Sequence, residues 1–305
     1  ALQFLHHPTP DVPLTTLEDR SHPAWQRLKA EELLTQQLSQ WQSRQERLRL
    51  RAPALVPSGA AADLPQRLLQ ALPFGLTGAQ ARVQAEIAAD LSRHEPMHRL
   101  LQGDVGSGKT VVAALAAAQC MAAGWQCALM APTEILAEQH FRKLIGWLEP
   151  LLAPLGLEVA WLTGSQKKKT RDAMLALIAD GRAALVVGTH AVIQEQVQFR
   201  ALALAIIDEQ HRFGVGQRAR LQQKGESPHV LTMTATPIPR TLALTLHGDL
   251  DVSQIDELPP GRQQIQTTVL AASDRTHAYD LIRREIAQGR QVYIVLPLIE
   301  ESEKL

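Results

Sequence analysis

Between about residues 75 and 250, short apolar runs alternate with longer stretches of helical periodicity. The runs fall at 99–102, 126–130, 158–162, 184–187, 204–207 and 230–234, separated by helical stretches of roughly 12 to 18 residues. Such alternation predicts a parallel sheet covered by helices on both faces, with any ligand at the carboxyl ends of the strands. Upstream, a long polar helix is expected over 23–51, with Pro23 at its first position and Ser21 as its cap. Leu34, Leu38, Trp41 and Leu48 form one apolar stripe along it. Residues 52–62 have the Pro, Gly and Ala content of a linker. After Pro259-Pro260-Gly261-Arg262 a new βαβ pattern begins, with strands at 266–270 and 291–296 around a helix at 276–288. Forty-odd residues are too few to complete a doubly wound domain.

Composition narrows this picture only a little. The 305 residues are 45% hydrophobic, enough for a sizeable core, and predict two or more packing units. Lys+Arg and Asp+Glu both number 31, so any nucleic-acid site must be a local basic groove. Two cysteines, Cys120 and Cys127, without a ligand-spaced histidine cluster argue against a metal-binding Cys framework and fit a reduced, cytosolic compartment. No signal peptide or membrane span is visible. Ala1 is not an initiator Met, which suggests a fragment, and residues 1–15, rich in Pro and His, read as a connector.

Gly103-Asp104-Val105-Gly106-Ser107-Gly108-Lys109-Thr110 matches the phosphate-loop pattern between a strand and a helix at 109–123. Its glycines let successive backbone N–H groups face phosphate oxygens, aided by the helix N-terminus. Lys109 is expected to reach the β- and γ-phosphates of ATP, and the Thr110 hydroxyl to ligate Mg²⁺. The apolar run 204–207 leads into Asp208 and Glu209. Downstream of a phosphate loop, this pair predicts a second Mg²⁺ contact from Asp208 and a water-activating base in Glu209. A third strand end, Thr232-Met233-Thr234-Ala235-Thr236-Pro237, offers small hydroxyls to relay nucleotide state, although alone it reads as a Thr-rich strand ending at Pro. Gln80 supports two readings: a capping box with Thr77, and a carboxamide that reads the adenine edge while Phe74 stacks on the base. Arg44, Arg47, Arg49 and Arg51, like Lys167-Lys168-Lys169, read as solvated helix ends before they read as DNA contacts.

Together these segments resemble superfamily 2 helicases, and most closely the RecG-type ATP-dependent DNA helicases. Asp208-Glu209-Gln210-His211-Arg212-Phe213-Gly214-Val215 is similar to that family's second motif, and 234–243 to its third. Residues 131–140 and 188–191 resemble its DNA-contacting segments, and 255–262 and 298–303 are also similar. The transcription-repair coupling translocase is the alternative. It typically has Glu where Gln210 stands and lacks the Leu-Pro-Pro-Gly-Arg junction at 258–262.

The resemblance implies an α/β, RecA-like P-loop fold. Residues 1–15 would be the tail of a DNA-binding wedge domain, 16–72 a helical linker, 73–262 the ATP-binding lobe and 263–305 the start of a truncated second lobe. It implies DNA contacts from Thr133, Gly164, Ser165, Thr189 and His190, with coupling through His211, Thr234, Thr236 and Arg240. It further implies ATP and Mg²⁺ as cofactors and forked or duplex DNA as partner. A single-strand-binding protein would be a second partner, and a cytoplasmic, nucleoid-associated monomer the working form. On its own the chain would bind ATP and DNA with little turnover, since the family's arginine finger lies in the second lobe. A P-loop enzyme acting on a small molecule is the remaining rival.

Overall fold

The computed structural model describes residues 1–209, 213, 215–236, 250–259 and 266–296. They divide into two compact units, Ala1–Pro260 and Gly261–Leu305. In the first unit the chain runs through α1 (Leu2–His6), α2 (Leu14–Glu18), α3 (Pro23–Leu48), α4 (Leu64–Ala71) and α5 (Gly78–Leu91). The sheet follows: β1 (His98–Gly103), α6 (Lys109–Ala122), β2 (Gln126–Met130), α7 (Glu134–Leu152), β3 (Glu158–Leu162), α8 (Lys168–Asp180), β4 (Ala183–Gly188) and β5 (Leu202–Asp208). It ends with α9 (Val215–Gln222), β6 (His229–Thr234) and β7 (Asp251–Ile255). The strands form one seven-stranded parallel sheet in the order β3-β4-β2-β5-β6-β1-β7.

β2, β4 and β5 are buried along their whole length, as strands covered on both faces must be. α6 is the central helix. Val111 through Ala122 are all buried, and its many alanines combine high helix propensity with a thin profile that admits close neighbours. β7 was not anticipated. Its Asp-Val-Ser-Gln-Ile, with two apolar residues in five, is too polar for a run-based reading, yet it pairs with β1 from Arg99↔Asp251 to Gly103↔Ile255.

Two further expectations change. The stretch 52–62 is not a free linker: Leu55 is fully buried, with Leu64 and Leu68 just after it, in the α6 core, and Gln119 of α6 donates to the Leu55 carbonyl at 3.0 Å. Three leucines set among Pro, Gly and Ala are enough to anchor it. In α3, the cap is His22, whose Nδ1 accepts from the Ala24 amide, rather than Ser21. The α3 stripe is exposed, with Leu34 at 59% and Trp41 at 62%.

In the second unit α10 (Arg275–Ala287) forms where a helix was expected. Residues 266–270 and 291–296 form no strands. A strand is stable only with ladder partners and a covered face, and here Val269 and Val295 stand 94% and 91% exposed. Among the described residues no helix is long and apolar enough to cross a membrane.

Candidate nucleotide and nucleic-acid site

Strand order brings the chemistry-bearing segments together. β5, β6 and β1 are adjacent, so the chain after β1, the end of β5 and the end of β6 share one edge of the sheet. Asp208 lies level with Met233, and Thr234 level with Gln102.

The loop after β1 curls through left-handed glycines, Gly106 at φ +81° and Gly108 at φ +95°. Gly108 has a second constraint, because a Cβ there would collide with the Gln80 carboxamide. The Lys109 ammonium donates to the Gly103 carbonyl at 2.6 Å and to Asp104 at 3.0 Å, which holds it in the mouth of the loop. Ser107 is buried, while Asp104 and Val105 face solvent.

A cavity of about 620 Å³ opens against this loop. Gly106, Gly108, Lys109 and Thr110 line one part of it; Phe74 and Trp147 also line it, their rings edge-on at 6.3 Å. Thr77, Gln80 and Lys143 also face it. Lys143 and Trp147 were not anticipated. They belong to α7, and their i, i+4 spacing puts them on one helix face, a cue that sequence alone gave no reason to connect with the phosphate loop.

Gln80 carries the capping box in full. Thr77 Oγ1 accepts from the Gln80 amide at 3.2 Å, and Gln80 Oε1 accepts from the Thr77 amide at 2.9 Å. Its Nε2 donates to the Ser107 carbonyl at 2.8 Å. The side chain is only 2% exposed, so its main visible role is to tie α5 to the phosphate loop. Glu257 reinforces the same helix start by accepting from the Ala79 amide at 2.9 Å.

Asp208 is buried at the tip of β5, where its Oδ2 lies 2.7 Å from His140 Nε2. Glu209 follows in the left-handed region at φ +51°, which costs a non-glycine residue about 1–2 kcal/mol. Three bonds hold that geometry. The Glu209 amide donates to the Met233 carbonyl at 2.9 Å, Oε1 accepts from the Ala235 amide at 3.2 Å, and Oε2 accepts from Thr234 Oγ1 at 3.5 Å. Thr234 Oγ1 in turn accepts from the Thr236 amide at 3.1 Å. The hydroxyl-rich strand end therefore meets Glu209. The oxygen donors of Asp208 and Thr110 are of the hard type that Mg²⁺ prefers.

The other half of the edge, β2, β4 and β3, gathers the residues expected to meet DNA. Thr133, Gly164, Ser165 and His190 are all exposed there. Thr133 caps α7 by accepting from Leu136 at 3.3 Å, and Glu134 accepts from the Ser165 hydroxyl at 2.9 Å. Thr189 departs from expectation. It is 2% exposed and its amide donates to the Leu162 carbonyl at 3.2 Å, so it supports the turn from beneath. Lys167, Lys168 and Lys169 are exposed at the start of α8. His211 and Arg240 lie outside the described residues.

Three neighbouring strand ends, one of them running into a phosphate loop that opens on a cavity, are the arrangement of a RecA-like P-loop helicase lobe. The sequence profile of the DEAD/DEAH box helicases matches residues 81–245, and the chain belongs to that family. It is 56% identical over 283 residues to the ATP-dependent DNA helicase RecG of Synechocystis sp., covering 92% of this chain and 33% of the relative. It is 54% identical over 310 residues to RecG of Escherichia coli (strain K12), covering 100% of this chain and 44% of the relative. A solved structure of RecG bound to a three-way DNA junction is 42% identical, with a TM-score of 0.76 over 90% of this chain and 36% of that one. Mss116 bound to single-stranded RNA, at 17% identity and a TM-score of 0.55 over 74% of this chain and 51% of that one, shares the fold alone. The chain thus spans between a third and a half of the length of these RecG relatives.

Proposed function

We propose that this chain is the ATP-binding portion of a longer motor that couples ATP hydrolysis to movement on branched DNA. The observation that carries the reading is the contact of Glu209 with Thr234 and Ala235, beside a complete phosphate loop. It joins the residue suited to activate water to the strand end suited to pass the result onward. Homology along the whole chain to RecG, and likeness to RecG on a three-way junction, supply the substrate class.

In this reading Lys109 and the loop amides hold the phosphates of ATP, with the base against Phe74 and Trp147. Asp208 and Thr110 would hold Mg²⁺, which when bound neutralises charge on the phosphates. Glu209 orients the attacking water and takes its proton on a carboxylate oxygen. Thr133, Gly164, Ser165 and His190 hold phosphates of one DNA strand, with Lys167–Lys169 adding local positive charge. Residues 1–15 would leave a wedge domain, and the unit beginning at 261 would open a second lobe that supplies a finger arginine. We further propose a cytoplasmic monomer that works at forks and junctions, with a single-strand-binding protein as a partner.

The first test is whether ATP hydrolysis by the longer motor responds to DNA at all. Stimulation by DNA is expected. Hydrolysis indifferent to DNA would instead mark a P-loop enzyme acting on a small molecule.

A further inference from the structure

We infer that His140 is the positioning residue for the Asp208 carboxylate, and that α7 thereby links the strand-binding edge to the metal-binding one. This rests on the nucleotide reading above. His140 and Asp208 are 68 residues apart in sequence, yet their side chains meet at 2.7 Å with each only about a tenth exposed. An ionised carboxylate accepts and never donates, so Nε2 carries the hydrogen in this contact. Among the described residues no other side chain or amide bonds the Asp208 carboxylate, and His140 Nδ1 is buried without a partner. The imidazole is therefore oriented by packing and by this one bond. A buried donor spent on one oxygen of a metal-binding carboxylate fixes the plane of that carboxylate and leaves Oδ1 for a ligand.

The helix that supplies His140 starts on the other half of the sheet edge. α7 follows β2, and its first residue, Glu134, accepts from both the amide and the hydroxyl of Ser165. From Thr133 to His140 is about two turns, roughly 10 Å of rigid helix. One face then presents His140 to Asp208 and, further along, Lys143 and Trp147 to the cavity. A shift of the Glu134–Ser165 contact as a strand binds would move His140 with the helix.

The test is equilibrium binding of a ribose-labelled fluorescent ATP analogue to this chain, in Mg²⁺ and in EDTA. Wild type should bind more tightly in Mg²⁺; no binding in either condition would sink the nucleotide reading itself. With His140→Leu, the ratio of affinity in Mg²⁺ to affinity in EDTA should fall about 10- to 100-fold, as loss of a partner that orients a metal ligand does, while affinity in EDTA holds. His140→Gln, which offers a donor near the place of Nε2, should recover most of the ratio. Combining His140→Leu with Asp208→Asn should lower the ratio no further than Asp208→Asn alone. If His140→Leu does not fold, His140→Asn, whose shorter amide cannot reach Asp208, takes its place. An unchanged ratio, an equal loss in Mg²⁺ and EDTA, or full additivity with Asp208→Asn would each overturn the assignment.

Discussion

Gln80 donates an Nε2 hydrogen to the Ser107 carbonyl at 2.8 Å while the rest of its amide closes the capping box of α5 with Thr77. One side chain thus links a helix start to the phosphate loop. Two substitutions separate these roles. Both Gln80→Ala and Thr77→Ala weaken the cap, at about 1 kcal/mol each. Only Gln80→Ala also frees the loop, so nucleotide affinity should fall about 5- to 10-fold in that variant and clearly less in Thr77→Ala. Fluorescent nucleotide titration with parallel thermal melts checks this. Equal affinity loss in both would mean that the cap, not the Ser107 contact, shapes the loop.

The roles of Glu209 and Lys109 divide along binding and turnover. Glu209→Gln keeps an acceptor for the Ala235 amide and leaves Asp208 untouched, so ATP binding should persist. Turnover by the longer motor should drop by about 10² to 10⁴, the usual worth of a general base. Lys109→Ala should weaken binding itself, because the phosphates lose their ammonium partner. Filter binding and phosphate release on both variants distinguish the cases, and equal loss of binding would contradict the assigned roles.

The phosphate loop and the Asp208-Glu209 pair were legible because each combines a local pattern with an apolar run, and both are local properties. β7 was not, because an edge strand needs only half its positions apolar. The burial of Leu55, Leu64 and Leu68 was hidden by the Pro, Gly and Ala around them. His140, Lys143 and Trp147 were missed for a third reason. Their partners are distant in sequence, and α7 reads locally as an ordinary amphipathic helix. The exposed α3 stripe shows the converse, since apolar periodicity identifies a face but not what lies against it.

Stability should depend on pH through His229. Its Nδ1 accepts from the Met97 amide at 3.1 Å and its Nε2 donates to the Pro53 carbonyl at 2.8 Å, an arrangement that requires the neutral ring. Burial lowers its pKa below the ordinary 6.5, outweighing the Pro53 bond and the charge of Asp90, which act to raise it. The unfolded chain therefore binds the proton more readily. The stabilisation is full above about pH 6.5 and is lost as pH falls below it toward the folded value. Melting temperatures between pH 7.5 and 5.5 should drop more for wild type than for His229→Gln. Parallel curves would exclude His229 as the cause.

The most direct test of a branched-DNA motor is ATP hydrolysis by the longer protein with equal amounts of forked, linear duplex and single-stranded DNA. Ionic strength must be held fixed, because phosphate contacts make DNA affinity steeply salt-dependent. Stimulation by forks well above linear duplex is the predicted result. Equal stimulation by plain duplex would contradict it.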